Sequence, residues 1–162
     1  MKNLVDSVGN LVHIKLFIHG DGACLDELKT YSKRYTNVFF TGRYEVNQLP
    51  ELYNTCNVVW AVYPNDDYNV KYAISNKFHE SLVYKKPCIY ANKTMLGKYV
   101  QNNKLGWIVD PYNVDEIRNL IIKLSNNVSL FLEIEEHLSA EANKSQTWNE
   151  DFKALVKFIN KK

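Results

Sequence analysis

Cysteine is scarce in this 162-residue chain: Cys24, Cys56 and Cys88, with no C-x-x-C pair among them. An odd count without such a pair fits reduced thiols in a cytoplasmic protein. Long apolar runs are missing too. None approaches the roughly 18 residues that span a bilayer, and Met1-Lys2-Asn3-Leu4-Val5-Asp6 holds no signal-peptide core. The net charge is only +2 and no basic run is interleaved with aromatics, so nothing calls for nucleic acid. His13, His19, His79 and His137 lack metal-ligand spacing. There is no G-x-S-x-G elbow to support a Ser-His-Asp site. N-x-S/T matches begin at Asn92, Asn127 and Asn143, and without a secretion signal we read them as chance. No repeat, low-complexity tract or linker divides the chain, which reads as one domain over residues 1–162.

What is present is a core. Hydrophobic residues make up 46% and aromatic residues 13%, enough for a globular domain of this length. Short apolar runs at residues 14–19, 38–40, 58–62, 88–91 and 107–109 read as strands. Between them lie helical patterns at 24–34, 48–54, 75–86 and 95–102. Residues 114–125 form a further helix with Val114, Ile117, Ile121 and Leu124 on one face. Residues 2–8 read as the end of a helix, 65–69 as a polar loop, and about 128–143 and 148–160 as closing helices. Strands alternating with helices over short connections predict an α/β fold: a Rossmann-like, mostly parallel sheet of about five strands with helices on both faces. Such sheets bind ligands at the carboxyl ends of their strands. Gly20 to Gly22, Gly42 to Tyr44, Pro64 to Tyr68 and Ala91 to Thr94 all fall there.

The stretch from Ser75 to Pro87, SNKFHESLVYKKP, is central. Ser75 is placed to cap the first turn of a helix. Free N–H groups at that end, with the helix dipole and Lys77, attract an anion such as a phosphate. Phe78 and Leu82 supply a buried stripe. Glu80, one turn in, can accept hydrogen bonds from a vicinal diol such as a ribose. Pro87 stops the helix. The plain alternative is a surface helix with a capping serine and an ordinary lysine and glutamate.

Gly20-Asp21-Gly22 invites a dinucleotide reading, but the third glycine of G-x-G-x-x-G would fall on Leu25 and no ribose-binding acid follows at the expected distance. A tight strand-to-helix turn is the simpler account. A phosphorylation receiver would need an Asp ending a central strand, where this chain has Tyr63-Pro64. His19 ends a strand, open to a ligand or half-buried. Asp66 and Asp67 read as a solvated loop.

Taken in order, LFIHGDG, NVFFTG, LY with NVV, SNKFHESL with KP, and GWIVDP form a series from Leu16 to Pro111. Thr147-Trp148 falls at the start of the last helix. This order resembles the C-terminal half of retaining glycosyltransferases of family 4, the glycosyl transferases group 1 of the GT-B fold, over nearly the whole chain. It is closest to the branch with N-K-x-x-E in the central helix, common among surface-polysaccharide enzymes.

The resemblance implies a nucleotide-sugar donor domain, UDP- or GDP-linked, acting without a metal. Glu80 matches the ribose-holding second glutamate of the E-x7-E motif. Asn76 and Lys77 face the diphosphate. Gly20 and Gly22 let backbone approach the donor, Arg43 and Tyr44 lie near the base, and Pro64 borders the cleft. Tyr72 stands where the first glutamate would be, and Lys85 where a glycine usually precedes Lys-Pro. The resemblance also implies that the family's first strand, with an Arg and a Lys, precedes what is present here, as does an N-terminal acceptor-binding domain. The whole enzyme would sit peripherally at the inner membrane face. We therefore expect this chain alone to be inactive, the strands starting at Ile14 and Val58 to close directly on each other, and self-association as the alternative use of their edges.

Overall fold

The computed structural model describes residues 1–144 and 148–160. Five strands alternate with helices, as the apolar pattern predicts. Helix α1 (Lys2–Val8) leads to β1 (Leu16–His19), α2 (Leu25–Ser32) and β2 (Val38–Gly42). A 3-10 turn at Val46–Gln48 opens into α3 (Leu49–Thr55), whose Pro50 lies in the first turn, where a missing N–H removes no helical bond. Then follow β3 (Val59–Ala61), α4 (Tyr68–Tyr72), α5 (Asn76–Tyr84), β4 (Cys88–Ala91), α6 (Met95–Asn103), β5 (Gly106–Val109), α7 (Val114–Ser125), α8 (Ser129–Ala142) and α9 (Trp148–Ile159). The Trp148 of the sequence reading opens α9. Thr147 lies outside the described residues.

All pairings are parallel: β1 with β2, β3 with β4, and β4 with β5. β4 is the middle strand of three, and its four residues are all buried, as a strand covered on both faces must be. Cys88 and Tyr90 pack into one core with Phe78 and Leu82 of α5, Val100 of α6 and Leu138 of α8. Ile89 packs into the other with Leu4 and Val8 of α1, Val109 of β5 and Ile117 of α7. Burial pushes the Cys88 thiol up to about 12, so it behaves as an apolar filler.

α1 is fixed by polar contacts as well as packing. Ser7 Oγ lies 2.7 Å from Asn3 O and 3.0 Å from Val114 O, and Arg118 donates to the Asp6 carbonyl at 2.6 Å. The Asp6 carboxylate accepts from Tyr31, Tyr35 and Arg34, which ties α2 to α1. Burial alone would raise its pKa, but these three donors outweigh it and hold the carboxyl below the usual range. Asn37, 5% exposed, donates its side-chain amide to the carbonyls of Val8, Leu11 and Ile14, clamping the segment after α1 to the start of β2.

Three expectations change. The strands do not close into one sheet: β1 pairs only with β2, and β3 only with β4 and not with β1. The Leu16 N–H bonds toward Asn37 and the Val59 N–H toward Pro87. Backbone direction alternates along a strand, so Phe17 and Trp60 turn theirs to the open edges. Closure would have to bring β1 to within one strand spacing of β3, about 4.8 Å, against the α1–α7 packing and the Asn37 clamp. Residues 2–8 stay helical and supply no strand. Second, the loop read at 65–69 contains the start of α4, because the Asp67 side chain accepts from the N–H groups of Asn69 and Val70. Asp66 accepts from the Tyr112 hydroxyl, which lowers its pKa. Third, α5 stops at Lys85, before Pro87. Lys85 is left-handed at φ 50°, the conformation for which helices usually place a glycine.

Candidate functional site

Parallel strands put the segments that follow them on one edge of the fold, and the predicted residues lie there in two groups. The first surrounds the ends of β1 and β2. Gly20 has φ +123°, which a side chain would strain, and its N–H donates to the Gly42 carbonyl at 2.7 Å. A Cβ at Gly20 or Gly22 would meet nothing within 4 Å, so the backbone is open to an approaching group. His19 Nδ1 lies 2.6 Å from Thr41 Oγ1, and its ring meets Tyr44 edge-on at 6.4 Å. Burial lowers the His19 pKa, so the ring is biased to neutral. Arg43 is exposed beside Tyr44.

The second group is the start of α5. Ser75 has the extended backbone of a cap, yet its hydroxyl makes no capping bond. Instead Ser75 Oγ is buried without a hydrogen-bond partner among the described residues. This corrects the predicted cap and leaves the first-turn N–H groups uncapped by it. Asn76 is exposed and Lys77 half-buried in that turn. Among the described residues neither side chain makes a hydrogen bond or an ion pair. Glu80 follows one turn later and accepts a 2.6 Å hydrogen bond from the Tyr53 hydroxyl. Burial, reinforced by the Glu80 bond, pushes the Tyr53 pKa far up.

A cavity of about 200 Å³ lies at the ends of β3 and β4, lined by Tyr63, Asn69, Val70, Ser75, Tyr90 and Thr94 among others. On the other side of Thr94 a groove of about 350 Å³ gathers Lys71, Lys93 and Lys98 with Tyr72 and Met95. The cavity opens on the expected edge. None of Gly20, Gly22, Arg43, Tyr44, Pro64, Asn76, Lys77 and Glu80 lines either space. Pro64 is exposed next to Tyr63. Among the described residues no hydrogen bond or ring contact joins the β1–β2 group to the α5 group. Lys93 falls in the Ala91 to Thr94 segment that the sequence placed on this edge, whereas Lys71 and Lys98 were not singled out and Lys71 depends on α4, which the sequence did not reveal. Among the described residues no three His, Cys, Asp or Glu side chains are grouped to hold a metal ion.

Parallel strands between helices and a glycine turn after the first strand define a Rossmann-type domain. Glycosyl transferases group 1 matches residues 1–145, and the chain belongs to that family. No curated protein matches it by sequence. Among solved structures, Anabaena HepE in complex with UDP is 17% identical with a TM-score of 0.74, covering 98% of this chain and 44% of HepE. WaaG, a glycosyltransferase involved in lipopolysaccharide biosynthesis, is 15% identical with a TM-score of 0.71, covering 94% of this chain and 40% of its own. The C-terminal domain of the group 1 protein LpcC from Francisella tularensis is 14% identical with a TM-score of 0.69, covering 89% and 76%. The chain thus has the fold of the C-terminal half of a GT-B glycosyltransferase and spans less than half the length of HepE and WaaG. Among the described residues no helix is long and apolar enough to cross a membrane.

Proposed function

We propose that this chain is the donor-binding domain of a retaining, nucleotide-sugar-dependent glycosyltransferase that builds a surface polysaccharide or glycoconjugate. The observation that carries the reading is the start of α5: a buried, unpartnered Ser75 hydroxyl, first-turn amides it does not cap, and Lys77, with Glu80 one turn on. Amides and a cation there stabilise the negative charge of a departing diphosphate. Asn76 and Lys77 face the diphosphate and Glu80 the ribose. Gly20 and Gly22 let backbone approach, Arg43 and Tyr44 hold the base, and Pro64 borders the cleft. The UDP and UDP-glucose complexes of HepE and the lipopolysaccharide role of WaaG support this reading.

Acceptor binding belongs to a second domain in this scheme, and transfer onto an acceptor should be undetectable with this chain alone. Calorimetry with UDP, GDP, uridine and guanosine tests the reading. Lys77→Ala should weaken the diphosphates much more than the nucleosides, and Glu80→Ala should lose about 1.5–3 kcal/mol of nucleotide affinity. Equal weakening of diphosphate and nucleoside by Lys77→Ala would reduce Lys77 to a structural role. Tyr72 favours a second reading, a non-catalytic nucleotide- or sugar-binding module, because it stands in place of the family's first glutamate. Binding without turnover, even when an acceptor domain is supplied, would select that reading. The open edges of β1 and β3 favour self-association, which sedimentation velocity reads directly.

A further inference from the structure

The Leu52-Tyr53 pair belongs to the motif series, yet the donor scheme gives Tyr53 no role. We propose that Tyr53 is a positioning residue, whose hydroxyl holds Glu80 in the one orientation that offers its other oxygen to a ribose diol. The proposal rests on the reading of Glu80 given above.

A glutamate on a helix has three rotatable side-chain bonds, and a free carboxylate samples many orientations. Glu80 does not have that freedom. Its Oε2 accepts from the Tyr53 hydroxyl at 2.6 Å, a short charge-assisted bond. Tyr53 is itself immobile: it is 5% exposed, and its ring stacks on Tyr84 of α5 at 4.6 Å and 29°. The donor comes from α3 and the acceptor from α5, so the contact also fixes the spacing of the two helices. Glu80 Oε1 takes no hydrogen bond from any described residue. Two vicinal hydroxyls need two acceptor positions, and the carboxylate retains Oε1 and a second lone pair on Oε2. With its pKa so raised, the Tyr53 hydroxyl keeps its proton through the whole working range and stays a donor.

Tyr53→Phe removes the hydroxyl and keeps the ring, so it isolates the bond from the stack. The affinities of UDP and GDP are compared with those of their 2′,3′-dideoxy forms for the unaltered chain, Tyr53→Phe and Glu80→Ala. The ratio of the two affinities is insensitive to a partly unfolded sample, because that scales both equally. We expect Tyr53→Phe to weaken UDP or GDP about tenfold, leave the dideoxy forms unchanged, and bring the ratio toward one. A full ratio in Tyr53→Phe beside a lost ratio in Glu80→Ala overturns the positioning role and spares the Glu80 reading. Equal weakening of both forms by Tyr53→Phe makes the contact purely structural and overturns the role as well. A full ratio in Glu80→Ala, or no binding of either diphosphate by the unaltered chain, overturns the Glu80 reading and this proposal with it.

Discussion

β4 and β1 are each four residues long and each pairs in parallel, yet they are covered differently. β4 has a partner on both sides and a core on both faces, and Tyr90 is 1% exposed. β1 has one partner. Leu16 turns toward the core around α1 and α7, whereas Phe17 is 50% exposed and stacks on Phe39, 39% exposed, at 5.2 Å. The composition of each strand reports this. Cys-Ile-Tyr-Ala has no residue that wants water, while Leu-Phe-Ile-His ends on a half-buried histidine. Strand type alone therefore says little about where stability resides; coverage of the two faces decides it.

The contrast can be broken at its strongest point. Tyr90→Ala should cost about 3–5 kcal/mol in urea unfolding, because it empties a closed core and removes the hydroxyl that lies 3.1 Å from Ser81 Oγ. Phe17→Ala should cost less than about 1 kcal/mol, the range of a surface change. Comparable losses would mean that the open face of β1 is covered in solution. Next in size is Asn37→Ala, which takes one donor from each of three carbonyls, of which Val8 and Leu11 keep a backbone N–H, and releases the β1–β2 unit from the segment after α1. A loss of about 2–3 kcal/mol is expected, and amide exchange should quicken in β1 and β2 before β4.

Acid should act on the same weaker unit. His19 has a pKa lowered from 6.5, so the unfolded chain takes up its proton first and stability falls as pH drops through that window. Asp6 has a pKa lowered from 3.8, so its contribution is present above that value and is lost as pH falls further. Melting temperature should thus decline in two steps, and His19→Gln should remove the upper one. The smallest effect is a gain. Lys85→Gly relieves a left-handed residue at the end of α5, worth about 1–2 kcal/mol, but frees the unfolded chain by about 0.4–1 kcal/mol. A net rise of roughly 0.5–1 kcal/mol is expected, visible as a higher midpoint in urea.

Much of the architecture could be read from the sequence because burial writes itself into apolar periodicity. The bounds of α7 come out as Val114 to Ser125 in both the pattern and the structure. α4 was missed for the opposite reason: Tyr68 to Tyr72 is too short to show a period, and the Asp67 cap resembles loop chemistry. Sheet closure was out of reach because it depends on where α1 docks, and a docking distance leaves no pattern. At the site, Glu80 and Lys77 could be named from their helix, but Tyr53 could not be joined to Glu80, 27 positions further on, without coordinates. The idle Ser75 hydroxyl also escaped, since a serine before a helix reads as a cap in either case.

The ladders carry a consequence for how the chain is made. Every rung joins strands that are neighbours in sequence: Leu16 with Val38, Val59 with Cys88, Cys88 with Gly106. No rung reaches across the break between β2 and β3, so each loop to be closed runs only from one strand to the next, through one helix or, between β3 and β4, two, and its entropy cost stays small. For a parallel fold this is low contact order, and it favours fast folding. On a ribosome, β1 could zip onto β2 while β3 is still being synthesised, and the three-stranded unit would follow as a second event that completes the core shared around α1.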